Sequence, residues 1–145
     1  MKNPVVWVVN TGGTITSKFD PALGGFSSSV GADELIGPFP QIQEAAEIRI
    51  REFCNVNSVL LTVEKVFALR GVLEDLLAEG GVAGAVVTHG TGTMEESCYL
   101  IDLTLRSRKP VVFTGAVLQR AQPDSDGPRN LYHAVRAAAR PGMVG

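Results

Sequence analysis

Cysteine is scarce in these 145 residues. Cys54 and Cys98 are the two present, which excludes the disulfide framework of a small secreted domain and suits a reducing compartment. No apolar run approaches the ~20 residues that span a bilayer. The N-terminus enters a strand-like run at Val5 almost at once, so the reading expects no signal peptide. Neither sign of charge dominates: 13 Lys and Arg against 15 Asp and Glu leave a net charge of −2. Nucleic acid and an anionic membrane are therefore excluded as expected partners. No internal repeat, low-complexity segment or G-x-x-x-x-G-K-[ST] phosphate loop is present. These absences predict a cytoplasmic protein of one domain, and a chain this long buries roughly 68–70% of its unfolded surface.

What the chain does have is a recurrent pairing of apolar strand with Gly/Thr loop. Ala85 to Val87 leads into Thr88-His89-Gly90-Thr91-Gly92-Thr93, and a helical pattern starts at Met94 and runs to about Leu105. Thr93 followed by Glu96 fits a capping box. Val5 to Val9 leads in the same way into Asn10-Thr11-Gly12-Gly13-Thr14. Thr16 to Ser29 is polar and Gly/Ser-rich, and reads as a mobile loop or lid. A short helix is predicted near Ala32 to Ile36, and a half-exposed strand over Glu47 to Phe53. The polar loop Asn55 to Ser58 follows. Thr62 is placed to cap a helix whose stripe is Val66, Leu69, Leu73, Leu76 and Leu77, ended by Gly80 and Gly81. Pro110 to Thr114 reads as a fourth strand, and Arg106, Arg108 and Lys109 before it as complements to a helix dipole. Pro128 opens a last helix with the face Leu131, Val135, Ala138. Met143-Val144-Gly145 reads as the start of a further strand.

Alternating strands and helices with continuous apolar strands predict an α/β fold. The expectation is a doubly wound, mainly parallel sheet with helices on both faces, a three-layer αβα single domain. Hydroxyls then fall at the ends of successive strands: Thr11 and Thr14, Ser58, Thr88, Thr91 and Thr93, and Thr114. In a parallel sheet those ends share one edge, where open α/β proteins bind ligands. Glycines there permit close approach and offer N–H groups to a developing oxyanion, and a threonine can act as covalent nucleophile. Acyl transfer on a small polar molecule fits this inventory. Nucleotide binding is the rival reading. Gly90-x-Gly92 follows a strand but lacks the third glycine of a dinucleotide loop, and Glu95 and Glu96 would repel a phosphate. His89 reads as a structural hydrogen bonder, His133 as solvent-facing and Asp126 as a turn or cap residue. Cys54 and Cys98 read as small buried hydrophobes.

Several of these stretches together resemble the bacterial-type asparaginase/glutaminase amidohydrolases. They are Thr11-Gly12-Gly13-Thr14-Ile15, His89-Gly90-Thr91 with Thr93-Met94-Glu95-Glu96, Lys109-Pro110-Val111-Val112 through Gly115-Ala116, and Asp126-Gly127-Pro128 with Asn130-Leu131-Tyr132. They stand in the family's order and spacing across essentially the whole chain. The resemblance implies that residues 1–145 form the family's N-terminal α/β domain, without its smaller C-terminal domain. It implies hydrolysis of the side-chain amide of asparagine, or a related small amide, with no metal and no cofactor. Thr14 matches the nucleophile and Thr91 the second catalytic threonine. Ser58 matches a serine that holds the substrate's α-carboxylate, and Ala116 falls where a backbone carbonyl faces the substrate. Gly13, Gly90 and Gly92 are the backbone contacts expected around it. In the family a neighbouring subunit completes the site, which implies a homo-oligomer.

The departures are specific. Gly92 stands where the family has an aspartate that binds the substrate's α-amino group, a charge-assisted contact worth about 1.5–3 kcal/mol. Phe26 is the nearest counterpart of the lid tyrosine and has no hydroxyl. The family's catalytic lysine lies beyond Gly145. A truncated or degenerate relative that binds a small ligand or a partner chain without turnover is the alternative these departures raise.

Overall fold

A computed structural model of the chain describes residues 3–28, 30–37 and 39–144. The first strand, β1 (Val5–Gly12), is the continuous apolar run extended through the first glycine. A 3-10 turn, Thr14–Thr16, follows it. The segment expected to be a mobile loop is instead an antiparallel hairpin of β2 (Ser17–Asp20) and β3 (Gly25–Ser28); Ser29 lies outside the described residues. The hairpin carries no apolar alternation to advertise it, because its Phe19 and Phe26 pair across the strands while half of each stays in water. Its turn is set by local chemistry: Asp20 accepts from the Ala22 amide at 2.9 Å, and Gly24 takes a φ of 60°.

Two short helices come next, α1 (Ala32–Ile36), as expected, and α2 (Pro40–Ala45), which begins on a proline. Strand β4 (Glu47–Val56) runs three residues past Phe53, so Asn55 belongs to the strand, and Ser58 opens a second 3-10 turn, Ser58–Leu60. Helix α3 (Val63–Ala78) is capped by Thr62, whose hydroxyl accepts from the Lys65 amide. The fifth strand, β5 (Val82–Thr88), leads to helix α4 (Met94–Thr104). Strand β6 (Val111–Thr114) and helix α5 (Gly127–Ala138) complete the order. Lys109 serves a different helix from the one expected: its ammonium donates to the carbonyls of Leu77 and Glu79, at the end of α3. Residues 143 and 144 take no regular structure, and Gly145 lies outside the described residues.

The main sheet is parallel with strand order β4-β1-β5-β6. Alternate residues of each strand serve opposite faces. On one face Val6, Val8 and Val86 pack with Leu35 and Ile36 of α1, Ile42 of α2, and Leu131 and Val135 of α5. On the other, Val9, Ala85 and Val87 pack with Val66, Leu69, Leu73 and Leu77 of α3 and Ile101 of α4. Each fully buried Leu or Val side chain contributes about 1.5–3 kcal/mol, so both helical layers are fastened to the sheet. This is the expected αβα sandwich. The chain leaves β1 in one direction to reach β4 and then returns across β1 to reach β5. The winding therefore reverses between β1 and β5, and the crevice outside their carboxyl ends is the place such folds reserve for a ligand.

Candidate active site

A hollow of about 520 Å³ opens at that point, within the size range of small-molecule sites. Gly13 and Thr14 reach it from the end of β1, Ser58 and Leu60 from the turn after β4, and Gly90, Thr91 and Gly92 from the loop after β5. Phe26 and Ser27 of the hairpin form a further wall, with Ser17 and the 55–57 segment completing it. The lining therefore consists of hydroxyls, two carboxamides, apolar groups and bare backbone.

Glycines hold the three loops in contact. A methyl on Gly13 would stand 2.5 Å from the Gly90 nitrogen, and one on Gly90 would stand 2.8 Å from Ser58 Cβ and Oγ. Real carbon atoms do not approach so closely, so the β1, β5 and β4 loops can meet here only without side chains at these positions. Gly12 and Gly13 also take φ values of 107° and 88°, which other residues rarely adopt. The Gly13 carbonyl then accepts from the Thr16 amide at 3.1 Å and from the Thr16 and Ser17 hydroxyls, each at 3.0 Å. Thr14 is thus the first residue of a turn fixed at both its glycine entry and its carbonyl.

Six of the seven site residues expected from the sequence, Gly13, Thr14, Ser58, Gly90, Thr91 and Gly92, line this hollow. Ala116 does not; it is buried beside Ile15 and Gly127, behind the lining. Not every strand-end hydroxyl reaches the crevice either. Thr11 and Thr88 are fully buried beneath it, with the Thr11 hydroxyl donating to the Thr88 carbonyl at 2.7 Å. Thr114 is buried and also outside the lining. Thr93 makes no capping bond to its own helix, contrary to the capping-box reading. Its hydroxyl donates instead to the Ser58 carbonyl at 3.0 Å, because the β4 turn offers a buried acceptor at the same spot.

His89 is fully buried, with Nδ1 2.7 Å from the Gly90 carbonyl and Nε2 3.0 Å from Ser97 Oγ. A carbonyl can only accept, so Nδ1 carries the proton and Nε2 accepts from the serine. Burial pushes the imidazole pKa down, against the opposing pull of the Gly90 carbonyl and Glu96. The ring is a neutral strut for the loop, as the sequence suggested. Asp126 holds the loop after β6, accepting from the amides of Val117 and Leu118 and from the Asn130 side chain. Those donors, the Leu118 amide above all, keep its carboxyl below the usual carboxylate range. His133 faces solvent. Cys54 and Cys98 are half-buried, and burial raises both thiols.

Residues 5–145 match the family described as Asparaginase, N-terminal. The chain belongs to the asparaginase family. It is 38% identical over 144 residues to L-asparaginase 2-3 of Saccharomyces cerevisiae, covering 98% of this chain and 40% of that protein. It is 36% identical to L-asparaginase 2 of Bacillus subtilis, covering 98% of this chain and 39% of that one. Among solved structures, a probable cytoplasmic L-asparaginase from Campylobacter jejuni superposes with a TM-score of 0.89 at 35% identity. That match covers 97% of this chain and 43% of the other. The chain thus spans about two fifths of the length of these asparaginase relatives. Among the described residues, no helix is long and apolar enough to cross a membrane.

Ser17, Phe26 and Ser27 fall in the segment expected to be a mobile loop or lid and Asn57 in the polar loop 55–58, but of these only Phe26 was singled out, by family likeness. A polar and aromatic hairpin gives no periodic signal, and its position over the strand ends is a tertiary fact.

Proposed function

We propose that this chain forms the amide-hydrolysing half-site of an asparaginase, with Thr14 as nucleophile and Thr91 as the threonine that positions or activates the attack. The observation that carries this reading is the meeting of Thr14 and Thr91, 77 positions apart in the chain, around one hollow at the β1/β5 reversal point. The Thr14 hydroxyl adds to the carbonyl carbon of a side-chain amide, forming a C–O bond while the proton is passed on. The C–N bond then breaks, the nitrogen leaves as ammonia, and water hydrolyses the acyl-threonine to the carboxylate. Backbone N–H groups of the glycine loops suit the developing oxyanion. His89 takes no part as a base, since it does not line the hollow and both its ring nitrogens are engaged, by the Gly90 carbonyl and the Ser97 hydroxyl.

The substrate is asparagine or a related small amide, as in the relatives' names. Gly13, Ser58, Gly90 and Gly92 are the binding contacts, while Ala116, expected among them, packs behind the lining. The reading places the working protein in the cytoplasm and as an oligomer of its own copies. Ammonia release from asparagine and glutamine by the full chain tests it. Turnover that falls at least ~10³-fold in Thr14→Ala supports the assignment; turnover that survives that change overturns it.

A further inference from the structure

Asn10 is the one polar residue to close the apolar run of β1 before the threonine, and it is fully buried. A buried amide left unpaired costs about 1–3 kcal/mol in general, so its partners are informative. Its Oδ1 accepts twice, from the Gly12 amide at 3.0 Å and from the Thr88 hydroxyl at 2.9 Å. Its Nδ2 donates to Glu52 Oε2 at 2.6 Å. One side chain therefore ties the Gly12 amide to β5 on one side and to β4 on the other.

It does so where the sheet loses step. Pairing of β1 with β4 is regular up to Asn10 opposite Glu52 and resumes at Gly12 opposite Val56. Four positions of β4 are spent against two of β1, so the ladder supplies no fixed partner just before the two positive-φ glycines that aim Thr14. The Asn10 amide fills that gap.

We propose that Asn10 is a positioning residue for Thr14, holding the Gly12–Gly13 entry to the nucleophile's turn through its own carboxamide. The proposal rests on the reading of Thr14 as nucleophile. Its chemistry is selective, because the position needs a double acceptor and a donor in one planar group. An aspartate keeps the acceptors but faces Glu52 with a second carboxyl. In that variant the introduced carboxyl sits where Asn10 is fully buried and faces the carboxylate of the exposed Glu52, and both effects raise its pKa above the ordinary carboxylate range. Around this position the groups in contact are Glu52 of β4 and the Thr88 hydroxyl of β5, while the Cys54 thiol of β4 donates to the next carbonyl, Thr11, at 3.4 Å.

The test is ammonia release by the full chain, its Asn10→Ala and Asn10→Asp variants, from pH 5 to pH 9, well below each variant's melting temperature. Asn10→Ala is expected to lose at least about tenfold in kcat, with KM within about threefold, since a small misplacement of a reacting group is costly. The activity of Asn10→Asp relative to the parent chain is expected to be highest at low pH and to fall as pH rises. Wild-type kcat in Asn10→Ala, an effect confined to KM, or a flat ratio for Asn10→Asp would each overturn the proposal. If Asn10→Ala does not fold, Asn10→Asp at the acid end carries the comparison. If the parent chain itself releases no ammonia, the functional reading fails, and amide exchange decides the positioning claim separately. The Gly12 amide, which donates to Asn10 Oδ1, should then exchange at least about tenfold faster in Asn10→Ala while those of α5 are unchanged; equal rates overturn it.

Discussion

The Thr93 hydroxyl donates to the Ser58 backbone carbonyl at 3.0 Å, joining the start of α4 to the turn after β4. The bond crosses beside Gly92, where a Cβ would stand 3.2 Å from Ser58 Oγ. Removing it with Thr93→Val should cost about 1 kcal/mol of stability and loosen the Ser58 wall, raising KM more than it lowers kcat. Thr93→Ser keeps the hydroxyl and should restore both. Denaturant midpoints and steady-state kinetics on the two variants check this.

Gly90 lies between two loops, and an added methyl would meet Ser58 Cβ and Oγ at 2.8 Å. Gly90→Ala should therefore destabilise by about 1–3 kcal/mol through overpacking and depress turnover more than stability alone explains. Gly71 supplies the contrast. It sits inside α3 with nothing within 4 Å of its missing methyl, so Gly71→Ala should stabilise by about 0.5–1 kcal/mol with turnover unchanged. Chemical denaturation of the pair gives opposite signs if the close approach at Gly90 is real.

These contrasts mark what was legible in the sequence. The buried valines of β1 and β5 announced themselves as continuous apolar runs, because those strands are covered on both faces, and the leucine stripe of α3 by its helical periodicity, because it buries one face. Thr14 and Thr91 were legible as two of several hydroxyls in glycine-rich loops at strand ends, and it was the family resemblance that singled them out from Thr11, Thr88, Thr93 and Thr114. The hairpin that walls the hollow was not, since Phe19 and Phe26 meet across strands rather than along one. Thr93 fitted a cap by local pattern, and a long-range acceptor on Ser58 won instead. Asn10 read as a loop residue, although a lone carboxamide closing an apolar strand implies a buried network whenever that strand is central.

Gly92, which stands where the resemblance expects an aspartate, lines the hollow. Gly92→Asp would bring a carboxylate to its rim, with Ser58 Oγ giving way by a few tenths of an ångström. The variant should favour an amide carrying an α-ammonium over one without it. The ratio of kcat/KM for asparagine to that for succinamic acid, which lacks the amino group, should rise on the order of tenfold or more, the worth of a charge-assisted contact. An unchanged ratio would show that the substrate's amino group lies away from residue 92.

His89 makes stability depend on pH with a definite sign. Burial lowers its folded pKa below the ordinary value of 6.5, so between the two values the unfolded chain binds the proton more readily than the folded one. The stabilisation is fully present well above pH 6.5 and declines as pH falls below it, because charging the buried ring carries the cost of its desolvation. Melting temperatures of the parent chain should drop over this interval. His89→Gln should lack the slope while losing about 1–3 kcal/mol at neutral pH through a buried polar group left imperfectly paired. A variant that keeps the slope would assign it to other groups and leave the neutral-strut description of His89 without support.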